Sequence, residues 1–311
     1  MTAGAPKPGA GSRGPPLAGS GAPDVSVVIA VRNAEATLPA LLRSLAGQDC
    51  DERYEVIVSD DASTDASLSA AEQFVGDLRL VICAARRRRG AGAARNAGVA
   101  RASAPVLAFC DADDLVHERW LRSLCAATRR NPFVAGAVHS LDPGAVRPPE
   151  SVSTPPFDPV SLNAYYGHLP WSMTANLAVR RDLFMDVGGF AEELWTGQDA
   201  DLCWRLAARG VELTYEPAGI AFKRDRPGVT ATFLQWHRYG REHPLLFRRH
   251  RDAGMPRRSP AEVAKRYAGT GAAIARGLRH PRSPAAKAGA ARLGQDLGRL
   301  IGSVRWRSVY L

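Results

Sequence analysis

The chain lacks any run of about 18 apolar residues, the length a membrane-spanning helix requires. Its amino end has no continuous apolar stretch, so no secretory signal is expected, and the protein is expected in the cytoplasm unless it is held at a membrane surface. Cysteine is scarce: five residues, at 50, 83, 110, 125 and 203, an odd number with no CxxC spacing. This argues against a disulfide framework and against a structural zinc site, and leaves small thiols in a reducing compartment. A phosphate-binding glycine loop is also missing. The stretch Gly90-Ala91-Gly92-Ala93-Ala94-Arg95-Asn96-Ala97-Gly98 has no following Gly-Lys-Ser/Thr, and no strand-turn context fits a dinucleotide fingerprint. No internal repeat with a period of about 20–50 residues is present.

What the 311 residues do contain is 45% apolar and 23% charged, the balance of a globular protein able to bury a sizeable core. The net charge of +10 is unevenly placed. Residues 223–311 hold 20 Lys/Arg against 5 Asp/Glu, and residues 1–222 hold 21 against 26. The balances, +15 and −5, suggest a catalytic body followed by a basic tail that can meet acidic lipid, nucleic acid or a polyphosphate. Residues 1–23 are built almost entirely from Gly, Ala, Pro and Ser and are expected to be a disordered leader. Residues 24–228 are expected to form the body, divided near residue 115, and residues 229–311 a basic helical region.

Order is expected to begin at Val25-Ser26-Val27-Val28-Ile29-Ala30, a β-branched run of strand length. Leu38, Leu41, Leu42 and Leu45 follow at helical spacing. Further strands are expected at Tyr54–Val58, Leu78–Ile82 and Val106–Phe109, with helices around Leu68–Phe74 and over 91–102. Alternating helices and continuous apolar strands predict an α/β fold: a Rossmann-like, mostly parallel sheet flanked by helices. In such sheets ligands bind at the carboxyl ends of strands. Charge gathers at those ends: Asp60 and Asp61, then Arg86 to Arg89, then Asp111, Asp113 and Asp114. Residues 142–170 read as loop, 199–209 as a helix, and the chain from about 231 as helical with breaks at Pro256 and at Pro281–Pro284.

Four motifs carry chemistry. Phe109-Cys110-Asp111-Ala112-Asp113-Asp114 delivers three carboxylates within four positions. Their repulsion calls for a cation, and oxygen-only ligands favour Mg²⁺ or Mn²⁺ shared with substrate phosphates. A solvated acidic turn capping the next helix is the competing reading. Val58-Ser59-Asp60-Asp61-Ala62-Ser63-Thr64-Asp65 also ends a strand in acids suited to a nucleobase N–H or a ribose hydroxyl, with Asp65 better read as a helix cap. Arg95 is placed to reach a diphosphate or base. In Gln198-Asp199-Ala200-Asp201-Leu202-Cys203-Trp204-Arg205, both acids open a helix, and Arg205 lies four residues after Asp201 and can pair with it. That pairing leaves Asp199 free to act as a general base.

Together these pieces resemble the family 2 inverting glycosyltransferases with the GT-A fold. The matching segments are Val25 to Asn33, Asp60 to Asp65, Ala94 to Gly98, Asp111 to Asp114, Gly188-Gly189-Phe190 and Gln198 to Asp201, in the family's order over roughly residues 25–225. The resemblance implies transfer of a sugar from a nucleoside-diphosphate sugar to an acceptor hydroxyl, with inversion and with Mg²⁺ or Mn²⁺. It implies that Asp61 reads the donor base with Asp60 beside it, and that Ala30, Asn33 and Arg95 line the nucleotide site. Asp111 and Asp113 become the metal-binding DXD pair, Gly189 part of the sugar wall and Asp199 the base. Two departures stand out. Gln198 replaces the family's usual Glu, and Phe222-Lys223-Arg224 occupies a region where many relatives carry a His. Lys223 can neutralise a leaving diphosphate but, protonated, is no metal ligand.

The implied acceptor is a saccharide or a lipid-linked saccharide, in cell-envelope polysaccharide or glycolipid synthesis. A nucleotidyltransferase of similar topology would need a basic Gly-rich loop where Val31-Arg32-Asn33-Ala34-Glu35 stands. A nucleic-acid binder could use Trp236, Tyr239, Trp306 and Tyr310 among the tail arginines, but acidic strand ends suit a polyanion poorly, so no nucleic acid is expected. In the tail, Leu293, Leu297, Leu300 and Val304 fall at helical spacing among Arg292, Arg299 and Arg305. Two readings stay open: a helix packed on the body, or a basic amphipathic helix on an anionic membrane surface. Several glycines weaken the helix expectation.

Overall fold

The computed structural model describes residues 21–84, 89–149, 163–281 and 283–311. Nearly all of the expected leader, Arg86 to Arg88 and residues 150–162 of the expected loop lie outside the described residues. Eight strands form one sheet: β1 (Val25–Val31), β2 (Tyr54–Asp60), β3 (Leu80–Ala84), β4 (Val106–Asp111), β5 (Leu115–Val116), β6 (Phe133–Leu141), β7 (Leu177–Arg180) and β8 (Thr214–Arg224). Their order across the sheet is β3-β2-β1-β4-β7-β6-β8-β5. The pairs β1–β2, β1–β4, β2–β3 and β6–β8 are parallel, while β7 runs antiparallel to both neighbours and β5 antiparallel to β8. The sheet is therefore mostly parallel, as the apolar runs imply.

Ten helices accompany it among the described residues: α1 (Leu38–Ala46), α2 (Ser67–Glu72), α3 (Ala91–Val99), α4 (Trp120–Thr128), α5 (Asn163–Tyr166), α6 (Arg181–Asp186), α7 (Gln198–Ala207), α8 (Gly228–His250), α9 (Pro260–Arg279) and α10 (Pro284–Arg305). The third strand thus starts two residues later than its apolar pattern suggests, and α3 stops at Val99 rather than running on to 102. Helix α1 turns Leu38, Leu41, Leu42 and Leu45 onto Val27, Ile29, Val56 and Val58 of β1 and β2, all fully buried. Each such side chain contributes about 1.5–3 kcal/mol relative to exposure. On the opposite face Phe109, Phe184 and Phe190 join Val28, Ile57 and Trp204 in a second core.

Strand β8 carries Pro217 and Gly219 yet stays in the sheet. Its pairing with β6 jumps between Gly136/Ala137, where Gly136 faces Glu216 and Ala137 faces Ile220. Asn176, fully buried, fills the irregularity: its amide donates to the Ala137 and Gly219 carbonyls at 2.7 Å, and its Oδ1 accepts from Trp120 Nε1 at 2.8 Å. The backbone groups freed by the bulge are satisfied in this way. The bulge lets β8 end in Lys223-Arg224 on the same side of the sheet as Asp111.

The breaks near Pro256 and Pro281–Pro284 fall where expected, between α8, α9 and α10, although α8 runs through the buried Pro244. Leu245, Leu246 and Phe247 of α8 and Tyr310 join the second core, so the basic region is seated on the body. Helix α10 does not pack through its leucines. It packs through Gly294, Gly298 and Gly302, where an added Cβ would lie 2.4 Å from the Phe233, 2.3 Å from the His237 and 2.2 Å from the Arg241 carbonyl oxygen of α8. The glycines that weaken the helix as an isolated peptide are the surface by which it approaches α8. No helix among the described residues is long and apolar enough to cross a membrane.

Candidate active site

The common direction of β1, β2, β4 and β8 brings Val31, Asp60, Asp111 and Lys223 to one edge. Ala30 sits between Ser59 of β2 and Asp111 of β4 in register, so its backbone borders the crevice. Two loops brace that border. Asn33 (φ +47°) donates its backbone N–H to Ser63 Oγ and accepts from the Thr64 N–H at 2.8 Å. Asp65 accepts from the Ser67 and Glu35 N–H groups, but the N-cap of α2 is Ala66, so Asp65 braces the loop just before the helix rather than capping it as expected. Asn33 is therefore engaged in holding the two loops together. Ala62 sits at φ +58°, a left-handed conformation costly for a residue with a Cβ.

Asp60 and Asp61 are both buried. Asp61 accepts from the Arg89 N–H at 2.6 Å and from Gly90 N–H at 3.0–3.1 Å. Asp60 Oδ2 accepts from Ser63 N–H at 3.0 Å, while its Oδ1 is buried without a hydrogen-bond partner. Of the four oxygens, Asp60 Oδ1 is thus the one left unsatisfied, and a buried carboxylate oxygen in that state is costly unless a ligand donor meets it.

The acidic cluster is more heavily compensated than its sequence reveals. Asp111, Asp113 and Asp114 each present an oxygen within 4.8 Å of the others. Asp111 accepts from Arg95 at 2.6 Å through Oδ1 and from Lys223 Nζ at 2.9 Å through Oδ2. Burial alone would raise its pKa, but Lys223 and Arg95 outweigh burial and hold the carboxyl well below the usual range. Asp114 lies deeper. Burial, with Asp111 and Asp113 beside it, pushes it up to about 7 against the pull of Lys223. Its Oδ1 accepts from Arg224 N–H at 3.0 Å and its Oδ2 has no hydrogen bond, with Lys223 Nζ 3.5 Å away. Burial works against the Lys223 ammonium, yet Asp111, Asp114 and Asp113 raise its pKa well above the ordinary value. Asp113, the outer member, meets the exposed Arg226 at 2.9 Å.

These residues fit a divalent cation by donor chemistry: hard carboxylate oxygens, one of them unsatisfied, and an outer carboxylate held only by an exposed arginine. Lys223 supplies positive charge in the interior, so an ion there would complement a charge already present.

Asp199 stands at the start of α7, after Gly197 in the left-handed conformation. Its Oδ1 accepts from the Ala200 N–H at 3.0 Å, and its Oδ2 has no hydrogen bond among the described residues. Burial pushes its pKa up to about 6, against the helix-end amide and Arg95. A carboxyl with that value is ionised at neutral pH and still basic enough to take a proton. Two residues on, Asp201 is fully buried and pairs with Arg205 at 2.7 Å, Arg249 at 3.0 Å and His250 at 2.9 Å. The pairing of Asp201 with Arg205 read from the spacing is present, and Asp199 has no ion pair among the described residues. Gln198 packs on α3, where a Cβ on Gly92 would come within 2.2 Å of its Oε1.

Gly189 (φ +69°) belongs to a clamped turn. Arg205 donates to the Val187 carbonyl at 2.5 Å and to the Gly189 carbonyl at 2.7 Å, and the Asn96 amide pairs with the Phe190 backbone in both directions at 2.9 Å. Arg95 lies over the Phe190 ring, 5.6 Å from its centroid. The turn thereby sets the height of the arginine that meets Asp111.

Two contributors are not apparent from the motifs. Arg226 is one. Tyr239 of α8 is the other: burial raises its phenol, and Lys223, Asp111 and Asp199 all act on it electrostatically, so it lies within reach of both the acidic cluster and Asp199. Gln235 donates to its oxygen at 3.0 Å. Only its aromaticity within a basic segment marks it in the sequence.

The sequence model of the glycosyl transferase family 2 matches residues 26–188. A validoxylamine A glucosyltransferase of Streptomyces hygroscopicus is 32% identical over 280 residues, which cover 78% of this chain and 60% of that protein. A pre-mycofactocin glycosyltransferase of Mycobacterium tuberculosis is 32% identical over 261 residues, covering 78% of this chain and 51% of that protein. The chain thus spans between about half and three-fifths of the length of these curated relatives. Among solved structures, the mannosyltransferase of Pyrobaculum calidifontis in complex with GDP-Man and Mn²⁺ superposes with a TM-score of 0.60 at 21% identity, over 92% of this chain and 87% of that one. The fold is GT-A, and the chain belongs to glycosyl transferase family 2.

Proposed function

We propose that the protein transfers a sugar from a nucleoside-diphosphate sugar to the hydroxyl of a saccharide or lipid-linked acceptor, with inversion, in cell-envelope polysaccharide or glycolipid synthesis at the cytoplasmic side of the membrane. Residues 24–228 form the catalytic domain in this reading, and residues 229–311 a basic helical region. The observation that carries it is Asp199: a carboxyl raised to about 6, with one oxygen outside any hydrogen bond among the described residues, within electrostatic reach of Arg95 and of Asp111, which Arg95 and Lys223 meet.

Asp199 Oδ2 takes the proton of the acceptor hydroxyl as that oxygen bonds to the anomeric carbon. The bond from that carbon to the diphosphate breaks, and its electron pair stays on the leaving oxygen. A single base with no covalent partner gives one displacement and hence inversion. Arg95 and Lys223 are placed to stabilise the leaving charge. Asp111 and Asp113 would hold Mg²⁺ or Mn²⁺, which would supply further Lewis-acid neutralisation of the diphosphate. The mannosyltransferase similar in fold was solved with GDP-Man and Mn²⁺, which supports a sugar nucleotide and such an ion here. Asp60 Oδ1 is suited to a nucleobase N–H or a ribose hydroxyl, with Asp61 ordering residues 89–90 beside it.

The test is Asp199→Asn. Turnover should fall by about 10²–10⁴-fold with nucleotide affinity nearly constant. The parent's turnover should fall as pH drops through about 6, because the base is then protonated. Burial disfavours the ionised carboxylate, so the amide should leave the melting temperature unchanged or higher. Normal turnover in this variant overturns the assignment.

A further inference from the structure

The apolar side chains that α10 does not use for packing lie together on its outer face. Leu293, Leu297, Leu300 and Ile301 are 40% to 45% exposed and Val304 is 82% exposed. Their spacing places them on one side of the helix, opposite the buried Gly298, Arg299 and Gly302. Toward the amino end of α10 the same side becomes the floor of a groove of about 480 Å³, made by Ala286, Gly289 and Leu293 and walled by Phe233 of α8 and Leu278 of α9. Among its described lining residues only Thr230 carries a polar side chain. Groove and exposed face form one continuous apolar strip.

We propose that this strip docks the protein on an anionic lipid bilayer, with a hydrocarbon chain entering the groove. Charge decides the occupant. Arg276 and Arg279 close α9, and Lys287, Arg292 and Arg305 flank the strip on α10, all exposed. The one acidic residue of α10, Asp296, is turned inward onto Arg266 and Thr270. A second copy of the same face would set arginine against arginine. An acidic peptide would need partners for its backbone amides, and the groove walls offer almost none. Anionic headgroups over acyl chains match both the ring of charge and the apolar floor. The strip also lies close to the chemistry: Lys287 Nζ donates to the Arg226 carbonyl at 3.5 Å, and Arg226 pairs with Asp113. Docking through α10 therefore brings the rim of the acidic cluster toward the membrane surface.

The test is co-sedimentation of the full chain with phosphatidylglycerol or phosphatidylcholine vesicles, which needs no catalytic activity. Binding to phosphatidylglycerol is expected to be at least about tenfold tighter and to weaken with salt. The double variant Leu297→Gln/Ile301→Gln should lose about tenfold or more. Arg292→Glu/Arg305→Glu should lose about fivefold or more for each charge. All substituted side chains are exposed, so melting temperatures should stay at the parent value. Equal binding to both lipids, undiminished binding by the variants, or self-association abolished by Leu297→Gln/Ile301→Gln would each overturn the proposal, the last by assigning the strip to a second copy.

Discussion

The sheet body and the α8–α10 bundle are packed by opposite rules. In the body, apolar side chains point inward: Leu38, Leu41, Leu42 and Leu45 are fully buried, and buried charges such as Asp60, Asp61 and Asp114 gather at the strand ends of the candidate site. In the bundle, glycine backbones make the closest contacts and polar groups fill the seam. Arg299 is buried with its Nε donating to His243 Nδ1 at 2.9 Å, Thr270 donates to Asp296 at 2.6 Å, and the leucines of α10 face outward. A leucine repeat therefore reports the buried face of a helix only when nothing smaller competes for that face. Where glycines recur every four residues, backbone approach replaces side-chain interdigitation, and the apolar stripe is left for another surface.

Four substitutions sharpen this contrast, from the largest expected effect to the smallest. Asp201→Ala removes the carboxylate that joins the two regions and leaves Arg205, Arg249 and His250 without it, at an expected loss of about 3–5 kcal/mol in chemical denaturation. Burial opposes the ionised form of Asp201, but His250, Arg205 and Arg249 hold it down to about 2. Its contribution should be complete above the ordinary carboxylate value and be lost as pH falls through about 2. Leu41→Ala in the body should cost about 2–5 kcal/mol, since the side chain is fully buried. Gly298→Val should cost about 1–3 kcal/mol by forcing α10 from α8. Leu300→Ala should change stability by no more than about 0.5 kcal/mol. If Leu300→Ala proved as damaging as Leu41→Ala, the two regions would not differ in the way described.

The sequence made parts of this legible for physical reasons. Strands β1, β2 and β4 each hold a short buried apolar run, Val27–Ile29, Val56–Val58 and Leu107–Cys110, and declare themselves. Strands β6, β7 and β8 do not: β6 contains Gly136 and His139, β7 has four residues, and β8 is interrupted by Pro217 and Gly219, whose freed backbone groups are met by Asn176, remote in sequence. In the site, the roles of Asp199 and Asp201 could be separated because Arg205 lies one helical turn from Asp201. The pairing of Lys223 with Asp111 spans 112 residues and leaves no local trace. The same holds for Tyr239, whose place near the base is set by the seating of α8 on α7. For α10 the apolar spacing was visible, but the direction it faces depended on glycines whose helical role only the neighbouring backbone reveals.

Asp199 and Asp201 are two residues apart on one helical turn, and they answer to different masters. Asp201 is fastened by Arg249 and His250 to the end of α8, while Asp199 lies within electrostatic reach of Arg95 and Asp111. In the proposed reading the proton acceptor is thus mounted on a short lever whose fulcrum belongs to the bundle. A displacement of α8 would have to pass through those ion pairs before it reached Asp199, so under the proposed function the bundle also sets the aim of the general base.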